Sequence, residues 1–151
     1  AVPDVHFTFV GRDDMNGKVQ SAIIARKLSE RVSYVGFQQD ISSWMRVARL
    51  LVVPSLKEGF PTVVLEAMSH GMPVAAYDIG GLPELVRHEE DGLLVPAGDT
   101  KCLANAIIKL LKETDNANKM SALALARSEA DFPLNACVMK HQEALRLLMK
   151  G

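Results

Sequence analysis

Leu50-Leu51-Val52-Val53-Pro54-Ser55-Leu56-Lys57-Glu58-Gly59-Phe60-Pro61-Thr62-Val63-Val64-Leu65-Glu66-Ala67-Met68-Ser69-His70-Gly71-Met72-Pro73-Val74 is the stretch that decides the fold. Its opening apolar run, ended by Pro54-Ser55, reads as a parallel strand buried on both faces. Gly59-Phe60-Pro61 breaks the extended chain. Pro61 suits the first helical position, because its fixed φ fits and its missing N–H would have been unpaired there anyway. The helix is expected to reach about His70 and to stop at Gly71, which can take the left-handed conformation that ends helices. Pro73 then opens the next apolar run.

Two carboxylates stand out. Glu58 lies in the loop before the helix, and Glu66 lies near its second turn among Val63, Val64, Leu65, Ala67 and Met68. Such a helix is apolar on nearly every side, so it is expected to be buried. A buried carboxylate needs donors or it protonates. A pair of sugar hydroxyls would supply them, and a backbone N–H or an Arg from elsewhere would do so equally. The helix start, with the free N–H groups of Thr62 and Val63, is a ready anion site at the carboxyl end of a strand. An anion there and a diol at Glu66 would be spaced like phosphate and ribose in one nucleotide.

Working outward, 151 residues suggest one domain, residues 1–151, with room for a true core. The chain is 48% hydrophobic and 23% charged, too apolar for disorder. A formal net charge of −1 gives no general drive toward nucleic acid, and no basic run marks a membrane surface. Cys102 and Cys137 lack paired-ligand spacing. Both are expected to be buried and reduced, as in a cytosolic protein. No signal-peptide pattern or long apolar span is present. The expected location is therefore the cytoplasm, with the complete protein peripheral at the inner membrane face.

Towards the N-terminus, Val5 to Val10 reads as a strand ending in Gly11, with His6 a packed strand residue. Gly11 to Lys18 fails as a P-loop, because the glycines are one residue too far apart and Val19 stands where Ser or Thr is needed. Asp13-Asp14 has no further clustered ligands and reads as a solvated loop. A helix is expected over roughly Lys18 to Arg31 with Ile23, Ile24 and Leu28 as its core contacts, then a strand from Arg31 to Val35, then a helix capped by Asp40 or Ser42. Trp44 is expected to pack.

Towards the C-terminus, Val74 to Tyr77 is another buried strand, and Asp78-Ile79-Gly80-Gly81 is its loop, whose paired glycines permit close backbone approach to a ligand. Pro83 begins a short helix over Glu84 to His88. Glu89-Glu90-Asp91-Gly92 reads as an exposed acidic turn and Gly92 to Pro96 as a last short strand. Asp99 caps a helix with core face Leu103, Ile107, Leu110 and Leu111, and Met120, Leu123 and Ala124 continue a second one. After Phe132-Pro133, Leu134 to Lys150 carries Val138, His141, Leu145 and Leu148 along one stripe. The alternation implies a three-layer, Rossmann-like α/β sandwich on a parallel sheet. Ligands in such sheets bind beyond the carboxyl ends of the strands, and Gly11, Gly36-Phe37, Glu58-Gly59-Phe60 and Gly80-Gly81 all fall there.

Pro54-Ser55-x-x-Glu58-Gly59-Phe60-Pro61, the Glu58-x7-Glu66 spacing, Glu66-Ala67-Met68, Gly71-x-Pro73-Val74, Gly80-Gly81-x-Pro83-Glu84 and Gly92-x-Leu94-Val95 occur in order over about residues 32 to 100. Together they resemble the C-terminal, donor-binding domain of retaining GT-B glycosyltransferases of the GT4 type (glycosyl transferases group 1). The resemblance implies transfer of a sugar from a nucleotide-diphosphate sugar to an acceptor with retention of anomeric configuration. It implies Glu66 on the ribose hydroxyls and Glu58 on the donor sugar. The backbone of Gly59, Phe60, Pro61, Thr62 and Val63 would face the diphosphate, the loops at Gly11, Gly80 and Gly81 would lie near the donor, and the Phe37 loop would lie against the base. Neither a metal nor a separate cofactor is expected. Polysaccharide or lipid-linked glycan assembly is the usual family setting.

One departure is expected to matter. By order, Val5 to Val10 matches the family domain's second strand, so the first strand, with its Arg and Lys facing the diphosphate, is not in this stretch, nor is the N-terminal acceptor domain. Weak donor binding and no transfer are expected of this chain alone. Two other readings remain open: a sugar-nucleotide epimerase or phosphorylase of GT-B fold, and a non-catalytic α/β interaction domain in which Glu58 and Glu66 are held by protein groups.

Overall fold

The computed structural model describes residues 2, 4–133, 139, 142–143 and 145–149. The expected stripe residues Val138 and His141, and Cys137, lie outside them. Along the described residues run β1 (Phe7–Phe9), α1 (Lys18–Ala25), β2 (Val32–Tyr34), α2 (Ile41–Val47), β3 (Leu51–Val53), α3 (Thr62–Ser69), β4 (Val74–Tyr77), α4 (Leu82–Leu85), β5 (Gly92–Val95), α5 (Thr100–Lys112) and α6 (Thr114–Asp131). The strict alternation up to α5 is that of an α/β fold with parallel strands. The chain divides into two units, one up to Trp44 and one from Met45 onward.

In the second unit β3, β4 and β5 form a parallel ladder in that order, with Leu51 opposite Val74 and Tyr77 opposite Val95. A strand covered on both faces cannot alternate apolar with polar residues, and Val74-Ala75-Ala76-Tyr77 is buried at every position. On one face Ala75, Tyr77 and Leu93 pack with Leu103, Ala106 and Leu110 of α5 and Met120 of α6. The i, i+3, i+7 spacing of those α5 residues makes one stripe, and fully burying a Leu side chain there is worth about 1.5–3 kcal/mol. Asp99 Oδ1 accepts the Lys101 and Cys102 amides at 3.0 and 2.9 Å, which fixes where α5 starts. Cys102 is half-buried there, not buried as expected, because it stands in the first turn beside that cap. On α6 Met120 and Ala124 are buried, whereas Leu123 is exposed.

α3 buries Val64, Ala67 and Met68 and packs along α6. It stops as expected: Gly71 takes φ +61, its N–H donates to Met68 O at 2.9 Å, and the Met72 N–H donates to Ala67 O at 2.9 Å. Its start is one residue later than expected. Pro61, at φ −73 and ψ 102, is still extended and is the N-cap. α4 also starts earlier and ends sooner than expected, at Leu82 and Leu85, both fully buried.

In the first unit β1 and β2 pair in parallel, Phe7 opposite Val32 and Phe9 opposite Tyr34. Among the described residues each is the other's sole ladder neighbour, and all three β1 residues are exposed. His6 precedes the strand, is exposed, and bonds Ser33 Oγ through Nε2 at 2.8 Å. α1 is much shorter than expected. It ends at Ala25, because Lys27 turns to φ +55 and the Lys27 and Leu28 amides return to Ile24 O and Ile23 O. That is a Schellman stop built without glycine, so no residue type announced it. Ile23 is buried, but Ile24 (64% exposed) and Leu28 are not the core contacts they were expected to be. Asp40 is the cap of α2, accepting the Ser43 amide at 3.1 Å. Among the described residues no helix is long and apolar enough to cross a membrane.

Candidate functional site

The strongest candidates sit together in the second unit. The chain leaves β3 at its carboxyl end, passes Glu58, Gly59 and Phe60, and enters α3 through the buried Pro61. Among the described residues no side chain caps α3. Its first N–H groups, at Thr62 and Val63, therefore lack the carboxylate that α5 receives from Asp99. The positive end of the helix dipole is left for an anion.

Glu66 departs from expectation. It is exposed, because the apolar residues of α3 gather on the opposite face and leave Glu66, Ser69 and His70 outward. It stands about 6 Å along the axis from Thr62, at 1.5 Å rise per residue. The surplus of apolar residues around Glu66 in the sequence suggested all-round burial, but Val63 and Leu65 are only half-buried. Ser69 Oγ and His70 Nδ1 both reach the Glu66 carbonyl oxygen at 2.8 Å and leave its carboxylate alone. Glu58 is half-buried. Among the described residues, neither carboxylate accepts a hydrogen bond or pairs with a cation.

Gly80 and Gly81, after β4, lie directly against this loop. The Gly81 N–H donates to Gly59 O at 2.7 Å. Gly80 takes φ +52, and a Cβ there would stand 2.0 Å from Glu58 O. Phe60 is exposed, and its ring edge lies 3.2 Å from where a Gly81 Cβ would be.

Gly11 and Phe37 belong to the first unit, after β1 and β2. The Gly11 N–H donates to Gly36 O at 3.0 Å, and Tyr34 OH donates to Gly11 O at 3.0 Å. Burial, then Asp13 and Asp14, push the Tyr34 hydroxyl above its ordinary pKa. Asp13 accepts the Met15 and Gly17 amides at 3.1 and 2.5 Å, so its carboxylate closes its own loop. Phe37 is 63% exposed, with the Arg12 guanidinium 5.3 Å from its ring centre. Among the described residues no three metal-ligating side chains are grouped.

Two residues were missed. Asp91, read as part of an exposed acidic turn, is 2% exposed. It is paired with Arg127 at 2.9 Å, on a helix that reads as mostly polar. The isolated Arg facing a distant Asp left no local signal.

Known proteins bear on this arrangement. The sequence profile of glycosyl transferases group 1 matches residues 1–113. The amylovoran biosynthesis glycosyltransferase AmsK of Erwinia amylovora is 30% identical over 94% of this chain and 37% of its own length. The structure of HepE from Anabaena in complex with UDP-glucose matches with TM-score 0.89 at 30% identity, over 95% of this chain and 41% of that one. The sucrose-phosphate synthase of Thermosynechococcus elongatus matches with TM-score 0.91 at 31% identity, over 99% of this chain and 40% of that one. The chain thus spans about two fifths of the length of these three proteins. Its parallel α/β fold is that of the GT-B glycosyltransferases, and the chain belongs to the family of glycosyl transferases group 1.

Proposed function

We propose that this chain binds the nucleotide-diphosphate sugar donor of a retaining glycosyltransferase, and that the Glu58–Glu66 segment is the donor site. The observation that carries this reading is the state of α3. Its N-terminus is uncapped, and the exposed Glu66 carboxylate stands just over one turn along with no protein partner among the described residues. The complex of the HepE relative with UDP-glucose supports the same ligand class.

In this reading Glu66 accepts the two ribose hydroxyls. The amides of Gly59, Phe60, Thr62 and Val63, with the α3 dipole, bind the diphosphate. As the bond between the anomeric carbon and the diphosphate oxygen lengthens, negative charge grows on the leaving group and positive charge on the sugar. Donors already aimed at the leaving group stabilise that change without reorganising. Glu58, half-buried beside them, stabilises the oxocarbenium-like sugar. The acceptor would be held by the N-terminal domain of the complete protein, and the product would leave with retained configuration.

The test is a thermal-shift titration of the chain against UDP, GDP and ADP and their hexose conjugates. A ligand at about 100 times its dissociation constant stabilises the fold by ~2.7 kcal/mol. A shift with one base, lost in Glu66→Ala, is expected and names the nucleotide. No shift with any base contradicts a donor site in this chain. Product analysis on the complete protein separates transfer from epimerisation or phosphorolysis.

A further inference from the structure

The loops after β3 and β4 meet backbone to backbone. A Cβ at Gly80 would lie 2.0 Å from Glu58 O, and one at Gly81 would lie 2.4 Å from Gly59 O. Neither carbonyl is the end of a flexible side chain, so neither can swing aside. Gly81 is buried, and its N–H is already given to Gly59 O at 2.7 Å. That amide is not available to a phosphate or a sugar. What the glycines approach closely is the loop that carries Glu58.

The far end of the same short segment is held from α6. α4 has only four residues and no side-chain cap. Its last two carbonyls, Glu84 O and Leu85 O, accept Arg127 Nη2 and Nη1 at 2.8 and 2.6 Å. Nη1 also donates to Asp91 Oδ2 at 2.9 Å, while Asp91 Oδ1 accepts the Arg87 amide at 2.7 Å. Nε donates to Asp131 at 3.0 Å, and the guanidinium lies 5.5 Å from the Phe132 ring centre. One side chain thus fixes both termini of the 84–91 turn. Only a planar guanidinium offers that fork of donors.

We propose that the Gly80–Gly81 loop is the seat that sets where Glu58 and Gly59 stand, and that Arg127 is the positioning residue that anchors this seat from α6. Neither touches the donor. The consequence for catalysis rests on the reading that Glu58 meets the donor sugar. The seat itself does not depend on it.

Two variants of the chain test this. Gly81→Ala keeps an allowed backbone, since Gly81 sits at φ −82, and adds only the methyl that meets Gly59 O. Arg127→Lys keeps the charge beside Asp91 and removes the fork. Amide exchange at residue 81 is compared with that at Met72, whose N–H bonds Ala67 O at the far end of α3. In both variants residue 81 is expected to exchange about tenfold faster relative to Met72, the loss of roughly one hydrogen bond. Affinity for UDP-glucose is expected to fall about tenfold more than affinity for UDP, because UDP carries no sugar for Glu58 to meet. Equal acceleration at both amides, or equal loss of both ligands, overturns the proposal. If the unaltered chain binds neither ligand, the donor-site reading fails, and the exchange comparison still decides whether Arg127 holds the seat.

Discussion

The loops after β3 and β4 are joined to each other main chain to main chain, whereas side chains supply most of the contacts between the loops after β1 and β2. After β3 and β4, Gly59 and Gly81 bond main chain to main chain, over a strand buried at every position. After β1 and β2, the loops also share one main-chain bond, from Gly11 to Gly36, but the remaining contacts come from the Tyr34 hydroxyl, the Asp13 carboxylate and the stacking of Arg12 on Phe37. The same strand–loop–helix unit is thus held stiffly in one place and adjustably in the other. A backbone bond from the buried Gly81 is hard to trade for water, whereas an exposed contact such as Arg12 on Phe37 is easy to trade. The group read as catalytic, Glu58, sits on the stiff side. Phe37, expected near a base, sits on the adjustable side.

Breaking the stiff side should cost most. Arg127→Ala leaves Asp91 charged, buried and without its partner, and should lower unfolding free energy by about 3–5 kcal/mol in urea melts. A loss below about 1 kcal/mol would mean that the second unit does not depend on the pair. Phe37→Ala removes an exposed cation–π contact, worth about 0.5–1 kcal/mol, and should be felt only in the first unit. A loss as large as that of Arg127→Ala would erase the contrast. Tyr34→Phe removes the bond to Gly11 O and should speed exchange of the Gly11 amide roughly five- to tenfold while leaving Gly81 unchanged. Equal change at both amides would mean that the two loops are not held differently.

A further effect is expected at Asp99. The Cys102 amide and thiol, then the Lys101 amide, hold its carboxyl below the ordinary value of 3.8. A lowered folded pKa means stability that is present above the unfolded value and lost as pH falls through the folded one. Asp99→Ala should lower Tm at pH 7 by about 2–4 °C and remove that part of the acid loss. The same bond pushes the Cys102 thiol up. An acid limb of the melting curve unchanged by the substitution would show that the cap does not titrate as described.

The fold was legible where position alone sets conformation. β3, α3 and β4 follow from an apolar run, a Gly-Phe-Pro break and Gly71, and each lies within a residue or so of where the pattern puts it. The end of α1 was not legible, because Lys27 takes a left-handed turn that the sequence usually marks with Gly. At the candidate site the sequence shows the residue types but not their burial. Glu66 looked enclosed because burial in α3 follows one face of the helix, not its mean apolarity. Asp91 looked solvated because its partner is 36 residues away, a separation that no local pattern encodes.

The central claim is that Glu66 holds the ribose of a nucleotide. Calorimetric titration of UDP into the chain and into Glu66→Ala tests it most directly. Loss of hydrogen bonds to a charged group should weaken binding by ~1.5–3 kcal/mol, roughly 10- to 150-fold, with the fold intact. Equal affinity in the two proteins would contradict the ribose assignment, and with it the placing of the donor along α3.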